Sequence, residues 1–123
     1  MNTITWLLLI AGMLPFVAAV CAKAGGKGFD NEEPRIWLSR QQGWRARANA
    51  AQANMFESLP FFFVAVLFAL HQQAETAHLA GLMGAWVVAR LVYLATYISG
   101  HGLVRSLVWT LALGLNIAIL FAA

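Results

Sequence analysis

Residues 44–70 read WRARANAAQANMFESLPFFFVAVLFAL. Two chemistries share this one stretch. From Trp44 to Glu57 it is alanine-rich and carries Arg45, Arg47, Asn49, Gln52, Asn54 and Glu57, whereas from Leu59 to Leu70 it is wholly apolar. An ionised side chain inside a membrane helix costs about 2.5–3.5 kcal/mol on insertion scales, so the polar half cannot face lipid. It must face protein or water, while the apolar half crosses hydrocarbon.

The rest of the chain follows the same logic. Thr3 to Ala22 is an uncharged run of about twenty residues, the length that crosses about 30 Å of hydrocarbon at about 1.5 Å per residue. Pro15 lies inside it and removes one backbone donor, which predicts a kink. Two further apolar runs complete a single domain over 1–123, with helices expected at about 3–22, 44–71, 77–98 and 103–122. The expected class is an all-α integral membrane protein with four transmembrane helices. Short links at His71 to Ala77 and Ser99 to Gly102 force antiparallel neighbours. The intervening segment Phe29 to Gly43, with charges around Ile36, Trp37 and Leu38, reads as a polar connection with an interfacial aromatic anchor.

Composition excludes the main alternatives. With 61% hydrophobic and 11% charged residues, the chain is too apolar for a soluble domain. The net charge of +3 does not point to nucleic acid, because the basic residues flank apolar runs and act as topology signals. Cys21 is the lone cysteine, and no Cys/His spacing suggests a metal site. Met1 to Ala11 has no Lys or Arg, so the first span is read as retained rather than as a cleaved signal peptide. The run Ala24-Gly25-Gly26-Lys27-Gly28 lacks the Gly-Lys-Ser/Thr of a phosphate loop and is read as a turn. Lys23, Lys27, Arg35, Arg40, Arg45 and Arg47 precede or open the second span, and the link after it has no basic residue. That bias predicts a cytoplasmic first loop and both termini outside, in an inner membrane.

Glu57 and Arg90 are the ionisable residues expected deep in the membrane, at similar depth and able to face each other. Asn54 shares a helix face with Glu57, and Tyr93 and Tyr97 share one with Arg90. Arg47 lies two turns before Asn54, and alanines at 46, 48, 50, 51 and 53 permit close helix approach. The expectation is a basic, hydrogen-bonding pocket holding one carboxylate and open toward the cytoplasm. A plainer reading makes Glu57 and Arg90 a buried ion pair that serves packing alone. His71 and His78 lie at the opposite face, His101 is read as an exposed loop residue, and Asn116 as a group for bonding across helices. The tryptophans and phenylalanines are read as mainly lipid-facing or interfacial.

In order and spacing, Arg47-x6-Asn54-x2-Glu57-x2-Pro60, Arg90-x6-Tyr97 and Arg105-Ser106 resemble the MAPEG family, the membrane-associated proteins in eicosanoid and glutathione metabolism. The resemblance covers nearly the whole chain and is of a bacterial type. It implies a homotrimer that binds glutathione between adjacent subunits near the cytoplasmic side. Glutathione offers two carboxylates, an ammonium and a thiol, which suit several arginines and one carboxylate. By resemblance the glutathione ligands are Arg47, Asn54, Glu57, Arg90, Tyr93 and Tyr97, with Arg105 as the catalytic residue holding the thiolate. Ala50 stands where well-known members carry a further arginine, which predicts weaker carboxylate recognition. The implied activity is a transferase or peroxidase acting on lipophilic small molecules that partition into the lipid. The rival is a non-catalytic accessory subunit of a larger membrane complex. A transporter is disfavoured because four short helices show no inverted repeat.

Overall fold

In hydrocarbon a chain satisfies its backbone N–H and C=O groups by bonding within its own helix, and each long apolar run here does so. The computed structural model describes residues 1–123: α1 (Asn2–Lys23), α2 (Pro34–Ser39), α3 (Trp44–His71), α4 (Thr76–Ile98) and α5 (Gly102–Leu120), with no strand. The four long helices are each long and apolar enough to cross a membrane. The protein is an all-α, multi-pass membrane bundle. Both α1 and α3 run unbroken through their prolines, Pro15 and Pro60.

Small residues set the packing. Ala11, Ala18 and Ala22 of α1 and Ala48, Ala51, Ala65 and Ala69 of α3 are all fully buried, and α1 lies along α3. Without a strong hydrophobic drive between helices in lipid, such close backbone approach is a main source of association. On α4, Leu79, Met83 and Trp86 fill the space facing α1 and α3, with Trp86 stacked on Phe62 at 3.9 Å between ring centroids. Packed mainly on α4 and α3, α5 buries just Ala112, Asn116 and Ile119. Large apolar side chains such as Leu9, Val64, Val88 and Leu107 point outward, as lipid-facing residues must.

The first loop departs from expectation. Pro34 opens a short helix, a position where its missing N–H costs nothing. Trp37 on that helix is not a lipid anchor: it is buried, packs edge-on against Phe29 at 5.1 Å, and donates its indole N–H to the Lys27 carbonyl at 3.2 Å. Its ring passes so close to Gly26 that any side chain there would collide. The glycine-rich turn is therefore the floor beneath a tryptophan. Trp86 and Phe62 are likewise interior, contrary to their reading as lipid-facing, because α4 brings its indole-bearing face onto α3.

Candidate functional site

A chain of alternating aromatic rings and cations runs along α4 and across to α5. The Arg90 guanidinium lies 4.2 Å from the Tyr93 ring centroid and 5.9 Å from that of Trp86. Tyr93 meets Tyr97 edge-on at 5.7 Å, and the Arg105 guanidinium sits 4.4 Å over Tyr97. The negative faces of the rings attract the cations where water is scarce, a contribution of about 0.5–2 kcal/mol for each pair. Spacings of three, four and seven residues make this possible on one helical face.

Two neighbouring cavities open beside this ladder. The outer one, about 660 Å³, is lined by Asn54, Glu57, Tyr93, Tyr97, Arg105 and Ser106, with Ala50, Ala53, Trp109 and Thr110. The inner one, about 230 Å³, is lined by Asn54, Glu57, Ser58, Phe61, Trp86, Arg90, Trp109, Ala112, Leu113 and Asn116. Asn54, Glu57 and Trp109 belong to both.

Most of the expected site residues thus meet around these cavities, but not in the expected pairing. Arg90 is buried and donates from Nη2 to Asn54 Oδ1 at 2.9 Å. Glu57 forms no ion pair with it: the carboxylate lies exposed on the α3 surface, facing outward from the subunit. The plainer reading as a packing ion pair is therefore overturned, because α3 turns Asn54, not Glu57, toward α4. The Arg105 side chain makes no hydrogen bond; half-buried over the Tyr97 ring, it lines the outer cavity.

Arg47 does not line either cavity. Its Nε donates to the Ile98 carbonyl at 2.9 Å, at the C-terminus of α4, and Arg45 does the same for the Ala22 carbonyl at 3.1 Å near the end of α1. The last carbonyls of a helix lack intrahelical donors and carry partial negative charge, so these cations complete both ends. They tie the N-terminal turn of α3 to the C-terminal ends of α1 and α4. His101 bonds Ser99 at 2.8 Å in the exposed link.

Trp86, Ser58 and Trp109 also line the site, although none is a candidate from sequence. Trp86 stands one helical turn before Arg90, which was the available signal. Asn116 is buried and lines the inner cavity, where its Oδ1 finds no donor.

No curated protein and no solved structure matches the chain. The MAPEG family model matches residues 3–123, essentially its full length. The four spans, the Asn54–Arg90 contact and the Tyr97–Arg105 pair occupy that matched region, and the chain belongs to the MAPEG family, whose members generally use glutathione.

Proposed function

We propose that the protein is a glutathione-dependent membrane transferase or peroxidase acting on lipophilic electrophiles, with the outer cavity as its thiol site. The observation that supports this reading most is the composition of that cavity. Glu57, unpaired within the subunit, and the Arg105 guanidinium, without a hydrogen bond, stand at one opening together with Asn54, Tyr93 and Tyr97. A carboxylate suits the ammonium of glutathione and a guanidinium suits its carboxylates or thiolate. The volume, about 660 Å³, lies within the usual range for small-molecule sites. Arg90 is held behind the wall by Asn54 and adds positive potential, whereas Arg47 is engaged at the end of α4 and takes no part.

The proposed chemistry is thiolate activation. A cation beside a thiol stabilises the anion and lowers the pKa from about 8.5, raising the fraction of nucleophile at neutral pH. Arg105 is the residue assigned to this task. Because Glu57 and the cavity mouth face outward, a neighbouring copy in a homotrimer closes the site, which opens toward the cytoplasm with both termini outside. Turnover of a generic lipophilic electrophile by purified protein in detergent, with and without glutathione, tests the proposal. Glutathione-dependent consumption supports it. Neither turnover nor glutathione binding would leave the accessory-subunit reading in its place.

A further inference from the structure

Arg105 sits on the first turn of α5, where its backbone N–H closes onto the His101 carbonyl at 2.9 Å. The backbone is fixed there, but the helix does nothing to fix the guanidinium. That group makes no hydrogen bond and no ion pair within the subunit, although Glu57 lines the same cavity. The N-terminal end of a helix carries partial positive charge, so α5 disfavours a cation at this point. What meets the guanidinium is the ring of Tyr97, with its centroid 4.4 Å away, in the last turn of α4. The face of that ring is negative, and the C-terminal end of α4 has the same sign.

The ring is itself held in place. Tyr93 meets it edge-on at 5.7 Å, and Tyr93, 3% exposed, in turn stacks with Arg90, which Asn54 secures at 2.9 Å. The contacts thus run unbroken from a buried hydrogen bond to the arginine that lines the outer cavity. We infer that Tyr97 is the positioning residue for Arg105: the face of its ring, not its hydroxyl, holds the guanidinium at the wall of the outer cavity. A cation shifts a thiol strongly only within about 4–6 Å, so an arginine left to swing into water would lose most of its effect. That consequence for the thiolate rests on the reading of the outer cavity as a thiol site; the stacking does not. The attraction comes from the ring quadrupole, which phenylalanine shares and leucine lacks. Ring and hydroxyl can therefore be separated by substitution.

Two readouts on the full-length protein in detergent test this. The first is nuclear magnetic resonance of arginine-labelled protein without glutathione. The Arg105 side-chain protons, assigned by their absence in Arg105→Lys, are expected to lie upfield in the ring current of Tyr97. Tyr97→Leu is expected to abolish that shift and Tyr97→Phe to keep it, while Arg45, stacked on Trp44 at 4.3 Å, serves as the unmoved reference. The second is a pH titration of the ultraviolet thiolate band at saturating glutathione. Tyr97→Leu is expected to raise the midpoint of the bound thiol by about 1 pH unit or more, toward the free value of about 8.5. Tyr97→Phe is expected to keep the wild-type midpoint, whatever its effect on affinity. An Arg105 signal or a midpoint unmoved by Tyr97→Leu would overturn the inference. So would a midpoint in Tyr97→Phe as high as in Tyr97→Leu, which would give the role to the hydroxyl. Should Tyr97→Leu fail to assemble, Tyr97→Phe decides alone: loss of the upfield shift or a raised midpoint rejects the inference, and retention of both supports it. Absence of a thiolate in the wild type with the upfield shift intact rejects the thiol site and leaves the stacking in place.

Discussion

Among single residues, the decisive difference is which polar groups have partners within the subunit. Asn54 is the one hydrogen-bond acceptor for Arg90 within the subunit, so Asn54→Leu strands a buried guanidinium. It is expected to lower stability by about 1–3 kcal/mol, read as a reduced midpoint of thermal unfolding in detergent. An unchanged midpoint would show that Arg90 has another partner. Glu57 is the opposite case, exposed and unpaired in the subunit. Glu57→Gln is expected to shift subunit stability by less than about 0.5 kcal/mol. Its effect belongs to ligand binding: glutathione affinity, by calorimetry, is expected to fall about tenfold to a hundredfold, as for a lost bond to a charged group. Equal loss of stability in both variants would restore a structural role for Glu57. The sequence made Asn54, Glu57, Arg90 and the tyrosines legible because ionisable and amide groups in an apolar run need protein around them. It left Trp86 unread, because a membrane tryptophan reports nothing of whether a neighbouring helix covers it.

At the scale of elements, helix length and charge carried the reading, and tertiary contacts carried what it missed. The four long helices follow from runs of apolar residues that only a helix can satisfy in lipid. The short α2 escaped because six residues among charges have no period to detect, and its stability comes from Trp37 docking over Gly26. Gly26→Ala would set a methyl into that ring, and overpacking of this kind costs about 1–3 kcal/mol. Gly28→Ala meets no neighbour and bears only the strain of its positive φ, about 1 kcal/mol. Limited proteolysis of the loop is therefore expected to be faster in Gly26→Ala than in Gly28→Ala, and the reverse order would contradict the Trp37 docking. Arg47 belongs to this scale too. Its spacing suggested a ligand contact, yet the end of α4 takes it first, a choice made by helix placement and invisible in the spacing alone.

For the whole molecule, the α3 and α5 surfaces hold the key. A lone subunit would present Glu57 and the mouth of the outer cavity to hydrocarbon, an arrangement too costly to leave uncovered. Association of copies through this face is the expected remedy, and mass measurement of the detergent complex is expected to give three copies; a monomer would contradict it. Arg105 is proposed to stabilise a thiolate in the outer cavity, and ultraviolet difference absorbance during glutathione titration reads that thiolate. Wild-type protein is expected to develop the thiolate band at neutral pH, and Arg105→Ala to lose it while keeping its oligomeric state and losing from its thermal midpoint only what the stacking on Tyr97 contributes, about 0.5–2 kcal/mol. A cation within about 4–6 Å commonly shifts a thiol by about 1–3 pH units, enough to move most of the bound thiol between its two forms. A thiolate band of equal size in Arg105→Ala would rule out Arg105 as the thiolate's partner, and none in the wild type at saturating glutathione would rule out thiolate activation.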